Sequence, residues 1–118
     1  MDTIRTFRDL IAWQRAMTLA KLVYIESASM PNEERFRLTM QMRRAAVSVP
    51  SNIAEGYGRE SLADYLRFLR MARGSLGELG TQLELSRKIG LLRPSDELIR
   101  IIEETDRVLQ GLIRSLRQ

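Results

Sequence analysis

Five polar residues, Gln41, Arg44, Ser48, Asn52 and Glu55, follow one another at spacings of three, four, four and three. On a helix that spacing puts all five on one face. Glu78, Thr81 and Gln82, further along, have helical spacing of their own and could form a complementary face. If the stripe is buried, its members must satisfy one another, and Arg44 then needs a carboxylate, with Glu55 and Glu78 the two candidates. Such a network would set helix register or a subunit interface. If the stripe is exposed, it is an ordinary solvated face. Spacing alone leaves both readings open.

Catalysis needs a positioned acid, base or nucleophile. Glu55, Glu78 and Ser75 are the only tempting groups, and Ser75 has neither a histidine nor an obvious lysine to activate it. The chain has no histidine and no cysteine. That removes the commonest general base, the thiolate nucleophile and the usual zinc ligands. A di-metal carboxylate site would need repeated Glu-x-x-His signatures, which are missing. Gly56-Tyr57-Gly58-Arg59 lacks the glycine spacing and the Lys-Ser/Thr of a phosphate loop. The expectation is a protein that is not an enzyme and holds neither cofactor nor metal.

The 118 residues are 44% hydrophobic and 29% charged, a globular balance that suits one domain over 1–118. Met1-Asp2-Thr3-Ile4-Arg5 lacks the apolar core of a signal peptide. No run approaches the roughly 18 apolar residues of a membrane span. With no cysteine, these features predict a cytoplasmic protein without membrane contact. The net charge is +4, and of 19 basic residues only Lys21 and Lys88 are lysine. Arginine's planar fork suits phosphates and carboxylates, so nucleic acid or an acidic partner fits. A solvated, arginine-rich surface fits as well.

The elements that must carry these residues are helical almost throughout. A first helix over about 9–28 has the stripe Leu10, Trp13, Met17, Ala20 and Tyr24, widened by Ala16, Leu19 and Val23. Ile11, Leu22 and Ile25 lie off it and hint at a second contact, such as another subunit; scattered exposed apolar residues are the plain alternative. A second helix over about 32–56 starts from Asn32 as N-cap with Glu33 and Glu34 in its first turn. It buries Leu38, Met42, Ala45, Val49 and Ile53, is kinked at Pro50, and ends in a Gly56-Tyr57-Gly58 turn. A third, over about 61–89, opens on Ser61 with Asp64 in a capping-box position. Leu62, Tyr65, Leu69, Ala72, Leu76, Leu79 and Leu83 face its core. Gly74, Gly77 and Gly80 inside it point to a close helix approach or a flexible patch. A fourth, over about 95–117, is capped by Ser95 and buries Leu98, Ile101, Thr105, Val108, Leu112 and Leu116. Glu103 and Arg107 are spaced for an i,i+4 pair. Short connections favour antiparallel neighbours, so the fold class is all-α, an up-down four-helix bundle. The second and third helices are too long for a helix-turn-helix, which argues against major-groove reading.

The run Arg43-Arg44-Ala45-Ala46-Val47-Ser48-Val49-Pro50-Ser51-Asn52-Ile53-Ala54-Glu55-Gly56-Tyr57-Gly58-Arg59 resembles the signature of the small proteins encoded in intervening sequences of bacterial 23S rRNA genes. Asp9-Leu10 with Trp13-Gln14 and Ala16 resembles that family's opening. Gly74-Ser75, Glu78-Leu79 and Thr81-Gln82-Leu83 resemble its third helix. The likeness spans about Phe7 to Leu92. Gly80 stands where a charged residue is common in such proteins, a departure that leaves the assignment intact. The resemblance implies an up-down bundle, a homopentamer, and a second helix that continues through Pro50. It implies no activity. The chain is also distantly similar to the accessory proteins of diversity-generating retroelements, which are pentameric basic bundles that bind a reverse transcriptase and nucleic acid.

Two functions follow as expectations. The first is a homo-oligomer that binds RNA or DNA without base specificity through Arg67, Arg70 and Arg73 of the third helix and Arg100, Arg107, Arg114 and Arg117 of the fourth. Aromatics, at 6%, are too scarce for single-strand recognition by stacking. The second is a scaffold that docks a protein partner without nucleic acid.

Overall fold

The computed structural model describes residues 3–118; Met1 and Asp2, which open the segment read above for a leader, lie outside the described residues. Four α-helices form the fold: α1 Ile11–Ser27, α2 Leu38–Tyr57, α3 Leu62–Lys88 and α4 Asp96–Leu116. Single 3₁₀ turns, Phe7–Asp9 and Asn32–Glu34, precede α1 and α2. No strand occurs among the described residues. The helices pack in a cycle, α1 on α2, α2 on α3, α3 on α4 and α4 back on α1, without close backbone approach across the diagonals. Met42 meets Ser86 where Ser48 meets Ser75, and Arg15 meets Glu104 where Glu26 meets Ser95. Numbers rise on one helix as they fall on its neighbour, so the pairs are antiparallel. The result is an up-down bundle of 44 × 25 × 20 Å.

The buried face of α1 is Ala12, Ala16, Leu19, Ala20, Val23 and Ser27. Met17 and Tyr24, expected in the core, are exposed on its flank. Two interleaved series with spacings of three and four run along this helix. The one richer in alanine turns inward, because small side chains let the neighbouring helices come close. Trp13 is half-buried and packs edge-on against Phe7 at 5.3 Å.

The second helix begins at Leu38 and not at Asn32. Asn32 opens only a 3₁₀ turn, and Arg37, at φ −118° and ψ −110°, lies outside the helical region, so the helical ladder starts afresh. Glu34 still serves the helix start, since the Leu38 N–H donates to its Oε1 at 3.4 Å. From there α2 runs through the buried Pro50 as one helix, with Met42, Ala45, Val49 and Ile53 in the core as their spacing predicts. Gly56 is not a turn residue. It sits buried in the last turn of α2, where an added Cβ would lie 2.7 Å from the Cβ of Phe68 and 3.2 Å from Cδ1 of Tyr65. Its role is steric and concerns how closely α2 lies on α3. Gly58 caps the helix at an ordinary φ of −81°. Among the described residues, left-handed backbone occurs only at Gly90 (φ 77°), just past the end of α3.

Both serine caps form as expected. Ser61 Oγ accepts from the Asp64 N–H at 3.1 Å and Ser95 Oγ from the Leu98 N–H at 3.0 Å. On α3 the core residues are Leu66, Phe68, Leu69, Ala72, Leu76, Leu79 and Leu83. Leu62 is exposed, because its turn lies at the tip of the bundle next to the α2–α3 connection. A Cβ at Gly74, Gly77 or Gly80 would meet nothing within 4 Å, so no close approach inside this chain explains those glycines. On α4 the core line is Leu98, Ile101, Thr105, Leu109 and Ile113, and Val108, Leu112 and Leu116 flank it half-buried.

Two predictions follow. Gly56→Ala destabilises the protein by about 1–3 kcal/mol through overpacking, whereas Gly111→Ala, inside α4 with nothing within 4 Å of the added Cβ, stabilises it by up to about 1 kcal/mol. Urea unfolding of both variants checks the contrast, and equal effects would contradict it. The second concerns Asp9, whose carboxylate accepts from the N–H groups of Arg5 (2.8 Å) and Thr6 (3.0 Å). The Arg5 bond first and the Thr6 bond second hold its carboxyl below the ordinary 3.8. A depressed folded value means that the cap is complete above the ordinary value and is lost as pH falls through the lower one. The amide NMR signals of Arg5 and Thr6 should therefore titrate together with a midpoint below 3.8.

Candidate functional site: the α2–α3 seam and the arginine faces

The polar stripe of α2 lies along the seam with α3 and splits into two parts. The inner part is half-buried and satisfied internally. Ser48 Oγ and Ser75 Oγ share a hydrogen bond of 2.8 Å, and Asn52 Nδ2 donates to Ser48 Oγ at 2.9 Å and to the Ser48 carbonyl at 2.8 Å. Further along, Gln82 is only 7% exposed. Its Nε2 reaches Glu78 Oε2 at 3.5 Å, and its Oε1 has no partner.

The outer part, Gln41, Arg44 and Glu55, is exposed, and so are Glu78 and Thr81 across the seam. Arg44 pairs with neither expected carboxylate. Glu55 is taken by Arg59 one turn on, at 2.9 Å, and Glu78 makes no ion pair among the described residues. At the rim of the seam, water solvates the guanidinium, so no buried partner is required. Gln41, Arg44, Ala45, Ser48 and Glu78 line a shallow cleft of about 350 Å³ there. Among the described residues, the only side chain hydrogen-bonded to the Ser75 hydroxyl is Ser48, which cannot act as a general base at neutral pH. Among the described residues no group of three or more Asp and Glu is placed to hold a metal.

The seven arginines singled out from the sequence are all exposed, but they fall into two kinds. On α3, Arg73 Nε donates to Asp106 at 2.9 Å, and Arg67 lies 3.5 Å from Asp64 and 4.7 Å over the Phe68 ring. Arg70 has no carboxylate within 4 Å among the described residues. On α4, none of Arg100, Arg107, Arg114 and Arg117 has one either among the described residues, and the expected Glu103–Arg107 pair is not formed. Arg100, Arg107 and Arg114 recur every seven residues on the side of α4 that faces away from Leu98, Thr105 and Leu109.

The sequence profile of 23S rRNA-intervening sequence proteins matches residues 8–113, which takes in all of α1, α2 and α3 and most of α4. The chain belongs to that family. No curated protein matches it. Among solved structures, it is similar to a protein of unknown function from the S23 ribosomal protein family of Bacteroides thetaiotaomicron, with a TM-score of 0.78 and 21% identity over 88% of this chain and 96% of that one. At that identity the likeness speaks for the fold alone.

In this family member a second polar cluster lies where no periodicity pointed. Arg43 Nε donates to Ser27 Oγ at 2.9 Å and its Nη2 to the Tyr24 carbonyl at 3.4 Å, with the guanidinium 4.8 Å over the Tyr24 ring. The residues come from the end of α1 and the start of α2, so no stripe in the sequence connects them.

The seam makes its own prediction. Ser48→Ala and Ser75→Ala each cost about 1 kcal/mol, the worth of one hydrogen bond. The double variant costs less than the sum, because both changes break the same bond. Urea denaturation of the three variants checks this; strict additivity would contradict the coupling.

Proposed function

We propose that this family member is a non-catalytic, cytoplasmic, homo-oligomeric bundle that binds RNA or DNA without base specificity, through arginine contacts to backbone phosphates. The observation that carries this reading is the outer face of α4. Arg100, Arg107 and Arg114 stand in line there, each exposed and none within 4 Å of a carboxylate among the described residues. Cations without an internal partner are available to phosphates and release counterions when they bind. Arg117 extends the line and Arg70 adds a cation on α3, whereas Arg67 and Arg73 are partly committed to Asp64 and Asp106. The distant resemblance to retroelement accessory proteins read from the sequence, which neither the family profile nor the similar solved structure carries, would add to the nucleic-acid half of the reading by analogy alone.

The oligomer is part of the same proposal, and a pentamer is what the family resemblance implies. Ile11 and Ile25, 55% and 58% exposed, give α1 more apolar surface than its place in one bundle uses. The open glycines Gly74, Gly77 and Gly80 give α3 a surface that another backbone can approach closely. The same apolar surface favours a second reading, a scaffold that docks a protein partner with the arginines serving solubility.

Fluorescence anisotropy with labelled random-sequence RNA and DNA separates the two. On the first reading both bind at low salt, and replacing Arg100, Arg107 and Arg114 together by Gln flattens the log–log salt slope for single strands by roughly 2, at about 0.7 per lost phosphate contact. Absence of binding at low salt, or an unchanged slope, would sink it in favour of the scaffold.

A further inference from the structure

We propose that the cleft between the end of α1 and the start of α2 is a binding site for a phosphate group. Ser27, Asn32, Arg35, Thr39 and Arg43 contribute its polar lining, and no carboxylate lines it. Its volume of about 230 Å³ lies below the ~300–1,000 Å³ of sites for whole small molecules, which suits a single oxyanion.

Three features point to an anion. The first is a pair of guanidiniums. Arg43 is half-buried and held by Ser27, the Tyr24 carbonyl and the Tyr24 ring. Two of its roughly five N–H donors are used in this way, and the others are spare. Arg35, also lining the cleft, is exposed and has no carboxylate within 4 Å among the described residues. The second is Thr39, which is 5% exposed and whose Oγ1 has no hydrogen-bond partner. A buried hydroxyl left unmatched is unfavourable, and a phosphate oxygen can accept its proton. The third is the start of α2. The N–H groups of Thr39 and Met40 are first-turn donors with no acceptor among the described residues. A helix N-terminus of this kind favours an anion.

Of the nearby carboxylates, Glu26 accepts from Ser95, Glu34 accepts from the Leu38 N–H and so takes one donor of the helix start, and Glu33 is exposed; none of the three lines the cleft. The carbonyls ending α1 would repel an anion, but Arg43 covers the one at Tyr24. The site deepens the nucleic-acid reading by naming a place for one backbone phosphate, and it rests on that reading only for the source of the phosphate.

Calorimetric titration of the full chain with inorganic phosphate, against chloride at matched ionic strength, tests it. Arg35→Ala and Thr39→Val should each weaken phosphate binding by about tenfold, the worth of one hydrogen bond to a charged group. Thr39→Val should leave the melting temperature without phosphate unchanged or raised, since its hydroxyl has no partner to lose. No preference for phosphate over chloride, or undiminished affinity in both variants, overturns the site. Competition identifies the source. An RNA oligomer that displaces phosphate far below the concentration needed for a mononucleotide marks a backbone phosphodiester, and equal potency marks a free monoester; both support the site. RNA binding without phosphate binding removes the cleft and leaves the α4 reading standing. Phosphate binding without RNA binding does the reverse.

Discussion

How closely α2 can lie on α3 decides most of what this chain becomes. Their contact is the most extensive in the bundle, and Gly56 is the point at which it closes. With no Cβ there, the last turn of α2 rests on Phe68 and Tyr65. Small residues continue the seam, with Ala45 on α2 and Ala72 on α3 fully inside the core. Once the helices are this close, the Ser48 and Ser75 hydroxyls fall within hydrogen-bond distance. Pro50, which costs a free helix about 3 kcal/mol, is buried in the same helix without ending it.

The register then sorts the charges. Carboxylates are used at the edges of the bundle. Glu104 meets Arg15 on one flank of α4, Asp106 meets Arg73 on the other, and Glu26 grips Ser95 at the start of that helix. Gln110 adds a hydrogen bond to Asp106 at 2.6 Å. These ties hold α4 to both neighbours and draw acidic groups toward the seams. On the outward side of α4, Arg100, Arg107 and Arg114 have no carboxylate within 4 Å among the described residues, while the exposed Glu103 shares that side of the helix.

Much of the architecture was legible in the sequence because it rests on local rules. The period of Met42, Ala45, Val49 and Ile53 identified a buried face, and Ser61 and Ser95 marked helix starts through their caps. The misses occurred where tertiary contact decides. Helix α1 carries two series with the same period, and only its neighbours select the alanine-rich one. Around Pro31 the expected cap does not form among the described residues: Asn32 makes no cap hydrogen bond, only Glu34 reaches the start of α2, and the backbone at Arg37 leaves the helical region, so α2 starts at Leu38. Gly56 reads as a turn residue by composition and acts as a contact residue by geometry. For the site, spacing found the seam and the arginine line of α4. It did not single out the cleft of Arg35, Thr39 and Arg43: Thr39 and Arg43 share a face of α2 at i,i+4, but the cleft forms only where the end of α1, with Ser27, packs beside them.

The central claim is that the outward arginines form a non-specific surface for a phosphate backbone. The most direct measurement is the affinity of the unmodified protein for two RNAs of equal length and unrelated sequence, followed across a series of salt concentrations. Equal affinities that fall linearly on a log–log plot, with a slope corresponding to several phosphate contacts, are expected. A strong preference for one sequence, or an affinity indifferent to salt, would contradict the claim.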